Sequence, residues 1–163
     1  MGLVHEVRSA EEIKIIVFGL NDQEYGVEVT KVKSIERLEN ITRVPRTPKF
    51  VKGIINLRGT VTPIIDLKER LDIEGTDGTE HSRIIIISLG DIEVGLIVDS
   101  AYDVIDVPAQ SIQPPPVIIG GVRSEYIRGI AKLEQRLLVL LNLDRILSAE
   151  ELNQLSAAEG IGR

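Results

Sequence analysis

Short apolar runs separated by turn residues recur along the whole chain. Ile13 to Leu20 is an apolar run of strand length, Asn21-Asp22 supplies turn chemistry, and Glu24 to Val29 returns as a second strand. Together they predict a hairpin. Ile54 to Leu57 and Val61 to Ile65 predict another around Arg58-Gly59, where glycine relieves the backbone at the tip and leaves Arg58 standing out into solvent. Arg83 to Leu89, a turn at Gly90-Asp91, and Ile92 to Val98 repeat the opening hairpin. Ala101 to Val107 is a further strand. Ile127 to Leu133 and Leu137 to Leu143 make a last hairpin, turning at Glu134-Gln135. Val32, Ile35 and Leu38 lie among charges and suit either a helical turn or an irregular strand. Thr47-Pro48 reads as a cap and first helical proline, predicting a single turn that ends at Gly53. Asp66 to Leu71 can add a helical turn. Pro114-Pro115-Pro116 cannot join a central sheet, because proline donates no backbone hydrogen bond. Ser148 followed by Glu151 is a capping box that opens a C-terminal helix, with Leu152 and Leu155 on one face.

The pattern is a duplication. Phe50 to Leu71 laid over Tyr126 to Leu147 pairs Phe50 with Tyr126, Lys52 with Arg128, Gly53 with Gly129, Leu57 with Leu133 and Asp66 with Asn142. The upstream hairpins echo each other too, pairing Gly26 with Gly95. Two copies are too few for a solenoid. They predict two similar β units of about five strands each, enough for small closed barrels, packed to leave a cleft and two end faces. The glycine-rich, acidic stretch Glu74 to Ser82 is the natural junction. Residues 1–12 read as a flexible tail, 13–147 as the body, divided at roughly 13–82 and 83–147 with strand exchange allowed, and 148–163 as a helix and tail.

Composition narrows the function. The 163 residues are 43% hydrophobic, drawn from Ile, Val and Leu, with two Phe, three Tyr and no Trp. The β-branched bias favours strands. So few aromatics argue against a surface that stacks bases or sugars, and a net charge of −6 opposes binding to nucleic-acid phosphates. There is no cysteine, hence no disulfide or thiolate metal site. Nothing has the length of a membrane span or the pattern of a secretory signal, so a cytoplasmic protein without direct membrane insertion is expected. Only His5 and His81 could serve a nucleophile as base, and both lie in segments that read as solvated. No catalytic residue, metal site or cofactor is expected. Gly53, Gly59, Gly95 and Gly129 read as turn ends or tight backbone approaches. Arg58 is either a solvated arginine or a forked donor that fixes a partner helix. Val98 reads as core. Val32 and Val104 suit either core or an apolar lining of the cleft.

Three stretches resemble the CheW-like domain family of chemotaxis coupling proteins: EYGVEVTKVKSIE, RVPRTPKFVKGIINLRGTVTPIIDL and VGLIVDSAYDVIDVPAQSI. The motif G-x-x-N-L-R-G followed by P-I-I-D-L is specific to that family. The resemblance extends from about Ile13 to the C-terminal helix, and the chain length leaves no room for kinase or receiver modules. It implies a mostly β fold of two intertwined five-stranded SH3-like barrels sharing a hydrophobic core, with a short C-terminal helix. It implies a non-catalytic adaptor between methyl-accepting chemoreceptors and the regulatory domain of the histidine kinase CheA, recruited from the cytoplasm to receptor arrays. Family positions for receptor binding fall on Val32, Ser34, Arg58 and Val104, and those for kinase binding on Gln113 and Ile118. Many members carry a carboxylate where this chain has Ser34, and some a basic residue at Gln113. Two other readings are a scaffold of a related chemosensory pathway and a β module that binds a small ligand in the cleft.

Overall fold

The computed structural model describes residues 11–75, 78–116, 118–119 and 122–161. Its first half contains β1 (Glu12–Leu20), β2 (Gln23–Glu28), β3 (Val32–Arg37), β4 (Val51–Leu57), β5 (Thr60–Asp66) and α1 (Leu67–Arg70). The second contains β6 (Arg83–Leu89), β7 (Ile92–Val98), β8 (Ser100–Pro108), β9 (Ile112–Gln113), β10 (Ile118–Ile119), β11 (Val122–Arg123), β12 (Ile127–Leu133), β13 (Arg136–Leu141), α2 (Leu143–Ile146) and α3 (Ala149–Ile161). Most of the described chain is strand. All four expected hairpins form.

The strands make a five-stranded sheet in the order β3-β6-β7-β5-β4 and a six-stranded sheet in the order β8-β1-β2-β13-β12-β9. The two halves trade hairpins. β1–β2 joins the sheet of the second half, and β6–β7 joins the sheet of the first. This explains the only two parallel pairings between these strands, β5 with β7 and β2 with β13. Gly95 and Gly26 stand at those seams. A Cβ on Gly95 would lie 2.5 Å from Ile64 Cδ1 and 2.6 Å from Ile84 Cγ2, and one on Gly26 would lie 2.5 Å from Ile15 Cγ2. The duplicated glycines therefore let large neighbours fill the space beside each exchanged hairpin. The sheets hold five and six strands rather than five each, because β9 adds to the edge of β12.

The space expected as a cleft is filled. The largest apolar cluster lies between the sheets, with Phe18, Tyr25 and Val27 from one and Ile85, Ile87, Val94, Leu96 and Val98 from the other. Each sheet keeps a smaller cluster on its other face: Ile15, Val17, Leu138 and Leu140 in one, Ile55, Ile64, Ile84 and Ile86 in the other. Alternation along β1 and β6 sends successive side chains to different clusters, which is why these strands read as unbroken apolar runs.

Some expectations fail locally. Thr47-Pro48 opens no helix. Thr47 Oγ1 donates to Val44 O at 3.0 Å, and Val51 N–H returns to Pro48 O at 3.0 Å, closing a turn that feeds β4. Proline at a fixed φ serves such a turn as well as a first helical position. Gly53 ends nothing. It lies inside β4 at a register shift, with φ +148°, and a Cβ there would meet Thr42 O at 2.1 Å. Gly53→Ala should therefore lose about 2–3 kcal/mol of stability, measured by urea denaturation. A loss under about 0.5 kcal/mol would show that residue 42 moves aside freely. The segment left open around Val32 is a strand. β1 begins at Glu12, within the stretch expected to be a tail, while residues 1–10, Val117, Gly120 and Gly121 lie outside the described residues.

The helix ends follow their residues. Asp66 accepts from the N–H groups of Lys68 and Glu69 and so caps α1. Ser148 Oγ accepts from Glu151 N–H at 3.1 Å while Glu151 Oε1 accepts from Ser148 N–H at 2.8 Å, completing the capping box of α3. Leu155 is buried and Leu152 packs against the central core.

Candidate docking surface

The β4–β5 tip is built by its four residues. Arg58 has φ +51° and Gly59 φ +87°, the pair of positive values that a two-residue type I′ hairpin turn requires. Asn56 Oδ1 accepts from Gly59 N–H at 2.8 Å and clamps the turn from the side. Nothing would lie within 4 Å of a Cβ at Gly59, so glycine is there for its backbone freedom alone. This geometry throws Arg58 outward, with 70% of its side chain exposed. It does not stand alone. Arg58 Nη2 donates to Glu36 Oε2 at 3.0 Å.

Glu36 comes from β3, and its carboxylate is held below its ordinary pKa of 4.5. The largest cause is a hydrogen bond with Ser34; the hydrogen bond and charge of Arg58 add to it, against partial desolvation. A depressed carboxylate contributes order that is complete above its unfolded value and is lost as pH falls through the folded one. Acidification below 4.5 should therefore release Arg58, visible as converging shifts of the Glu36 carboxylate and Arg58 Nε–H signals in NMR. Independent titrations of the two signals would contradict the coupling. Ser34 itself carries no charge, and Glu36, two residues later on the same strand, supplies the carboxylate beside Arg58.

Val32 does not join this group. The register steps from Val32 opposite Ile87 to Ser34 opposite Ile86, so Lys33 is a bulge. Ile87 faces the inter-sheet core and Ile86 the smaller cluster, which places Val32 and Ser34 on different faces. Val32 is half-buried against the central core. Val104 lies on β8, the edge of the other sheet, opposite Ile16 and 55% exposed. Its counterpart in the duplication is Ile35, opposite Ile85 on the edge strand β3 and 42% exposed. Ser34, Glu36 and Arg58 are brought together; Val32 and Val104 are placed elsewhere. Sequence reasoning missed Glu36 as the partner of Arg58, and Ile35 as the twin of Val104. The offset between Gly26 and Gly95 carries the second signal.

β8 is braced beside Val104. Arg136 donates to both Glu24 oxygens at 3.0 and 2.9 Å, and Tyr102 O–H donates to the same carboxylate. The Arg136 hydrogen bond, with that of Tyr102, holds Glu24 below the usual carboxylate range. Tyr102 is pushed up to about 12, first by burial and then by Glu24. These groups fix a surface rather than perform a reaction. Gln113 is exposed on β9, and its carbonyl runs past Gly129, where a Cβ would come within 2.8 Å. Ile118 is described only by its backbone pairing with Arg123. Val98 is fully buried. His81 is exposed beside Glu80, and no group of three potential metal ligands occurs among the described residues.

Residues 14–151 match the CheW-like domain family. The chain belongs to that family. This CheW-like chain is 44% identical to chemotaxis protein CheW of Bacillus subtilis (strain 168) over 145 residues, 89% of this chain and 92% of the relative. It is 35% identical to chemotaxis protein CheW of Klebsiella aerogenes over 139 residues, 85% of this chain and 84% of the relative. It is also similar to the crystal structure of the scaffolding protein TtCheW from Thermoanaerobacter tengcongensis, with a TM-score of 0.80 and 35% identity over 86% of this chain and 91% of that one. The CheW-like chain is accordingly a non-catalytic scaffold of chemotaxis signalling. Among its described residues no helix is long and apolar enough to cross a membrane.

Proposed function

We propose that this protein is an adaptor that couples methyl-accepting chemoreceptors to the histidine kinase CheA, and that it works in the cytoplasm, drawn to receptor arrays through its partners. The observation that supports this most is the Ser34–Glu36–Arg58 group: a forked cation held outward on a rigid tip, beside an edge strand with exposed Ile35. A receptor helix hairpin offers an apolar face and polar flanks. Ile35 on one edge and Val104 on the other supply apolar contact, and Arg58 fixes register by donating to a carboxylate or carbonyl. Gln113, on the edge strand β9 of the six-stranded sheet, and Ile118, on the separate β10–β11 pair, are the proposed kinase contacts. Each contact need reach only about −8 kcal/mol, a micromolar affinity, because repetition in an array multiplies it.

Pull-down with a receptor cytoplasmic fragment and with the CheA regulatory domain, each alone, tests the two faces. Arg58→Glu should weaken receptor capture about tenfold or more by placing a like charge beside Glu36 and removing the donor. Kinase capture should stay unchanged. Exposure of the side chain predicts a stability change within about 0.5 kcal/mol. Normal receptor capture by the variant would remove Arg58 from the interface.

A further inference from the structure

We propose that residues 40–53, most of the connection between β3 and β4 together with the start of β4, form a docking surface for an acidic, Asp/Glu-rich segment of a partner protein. The first observation is charge segregation. Residues 40–65 hold five cations (Arg43, Arg46, Lys49, Lys52 and Arg58) and no acidic residue, in a chain whose net charge is −6. Arg58 is engaged by Glu36, Lys52 stands 3.9 Å from Asp66 and Lys49 3.2 Å from Glu69, although 90% of the Lys49 side chain remains exposed. Arg43 and Arg46 are exposed and form no ion pair among the described residues.

The second observation is rigidity. Thr42 pairs with Ile54 through two backbone hydrogen bonds of 2.9 and 2.8 Å, and Gly53 admits the Thr42 carbonyl where a side chain would stand. Thr47 Oγ1 ties back to Val44, and Pro45 and Pro48 restrict φ on either side. Between them Arg46 is held at φ +63°, a left-handed conformation that a non-glycine residue adopts at a cost of about 1 kcal/mol or more. A basic loop with no role is not expected to be pinned this way; a pinned one loses less freedom when it binds. The loop is concave, lined by Arg43, Val44, Arg46, Thr47, Lys49 and Lys52.

The chemistry favours an acidic peptide over other polyanions. All 25 acidic residues lie outside 40–65. A planar anionic membrane or a long duplex would bring those carboxylates against its own phosphates, whereas a short acidic segment touches the loop alone. The prolines withhold backbone N–H groups, so recognition runs through the guanidinium forks, which suit paired carboxylate oxygens.

The test measures fluorescence anisotropy of a fluorescein-labelled oligoglutamate peptide with the full chain. Two double variants remove equal charge: Arg43→Gln with Arg46→Gln in the loop, and Lys14→Gln with Lys132→Gln on the six-stranded sheet. Thermal melting checks that each is folded. Binding to the unaltered chain is expected, weakened about tenfold by the loop pair and less than about twofold by the sheet pair. Absent binding, or losses that do not separate the two pairs in this way, overturns the proposal. So does stronger binding to phosphatidylserine vesicles or to duplex DNA than to the peptide. Neither receptor nor kinase is present, so failure here leaves the coupling proposal standing, and failure of that proposal leaves this one.

Discussion

Phe18→Ala should lower stability by about 3–5 kcal/mol and bring down both sheets together. Phe18 is fully buried and stacks on Tyr25 with ring centroids 6.0 Å apart, in the cluster that joins the sheets. Removing the ring leaves a cavity that neither sheet can close by moving alone, because each contains a hairpin from the other half. For a chain of this size each kcal/mol shifts the melting temperature by about 2–4 °C, so a fall of roughly 6–20 °C is expected. Amide hydrogen exchange should show strands of both sheets losing protection to the same degree. Retention of full protection by one sheet would contradict a single cooperative core.

Arg70→Met should be the second large effect, a loss of about 3 kcal/mol. Arg70 ends α1 with 13% of its side chain exposed. Its Nε donates to Ile146 O at 2.6 Å, and its two terminal nitrogens donate to Glu151 at 2.8 and 2.9 Å. The guanidinium carbon lies 4.6 Å from the Phe50 ring centre and 5.1 Å from that of Tyr126. Those aromatics are equivalent positions of the duplication, so the cation is held between the two copies. Methionine keeps the apolar stem but leaves the Ile146 carbonyl and the Glu151 carboxylate short of donors. Glu151→Gln should lose less, about 1 kcal/mol, since it keeps an acceptor and its hydrogen bond to Ser148. Urea denaturation measures both. A value for Arg70→Met no larger than that for Glu151→Gln would show that the arginine contributes only through that carboxylate.

What could be read from the chain was local. Arg58-Gly59, Asn21-Asp22, Gly90-Asp91 and Glu134-Gln135 each turn a hairpin, because a two-residue turn is specified by its own residues. The Ser148–Glu151 box is equally local. Strand exchange was not legible as a pairing. β2 beside β13 and β5 beside β7 are separated in sequence, and an apolar run does not name its neighbour. Thr47-Pro48 misled because proline suits a turn and a first helical position alike. At the candidate docking surface, Arg58 was legible from its tip, but Glu36 was not, since the contact crosses 22 positions. Nor could alternation alone separate Val32 from Ser34, because the bulge at Lys33 resets the count of faces.

The traded hairpins also bear on what happens when the backbone is cut. A single break in the stretch after α1, between the halves, would sever the covalent link but not the molecule, since each piece still clasps the other through a whole hairpin. Such a clasp opens only when both sheets are torn at once. The scaffold is thereby proofed against nicking, and neither lobe could be inherited, trimmed or replaced without its twin.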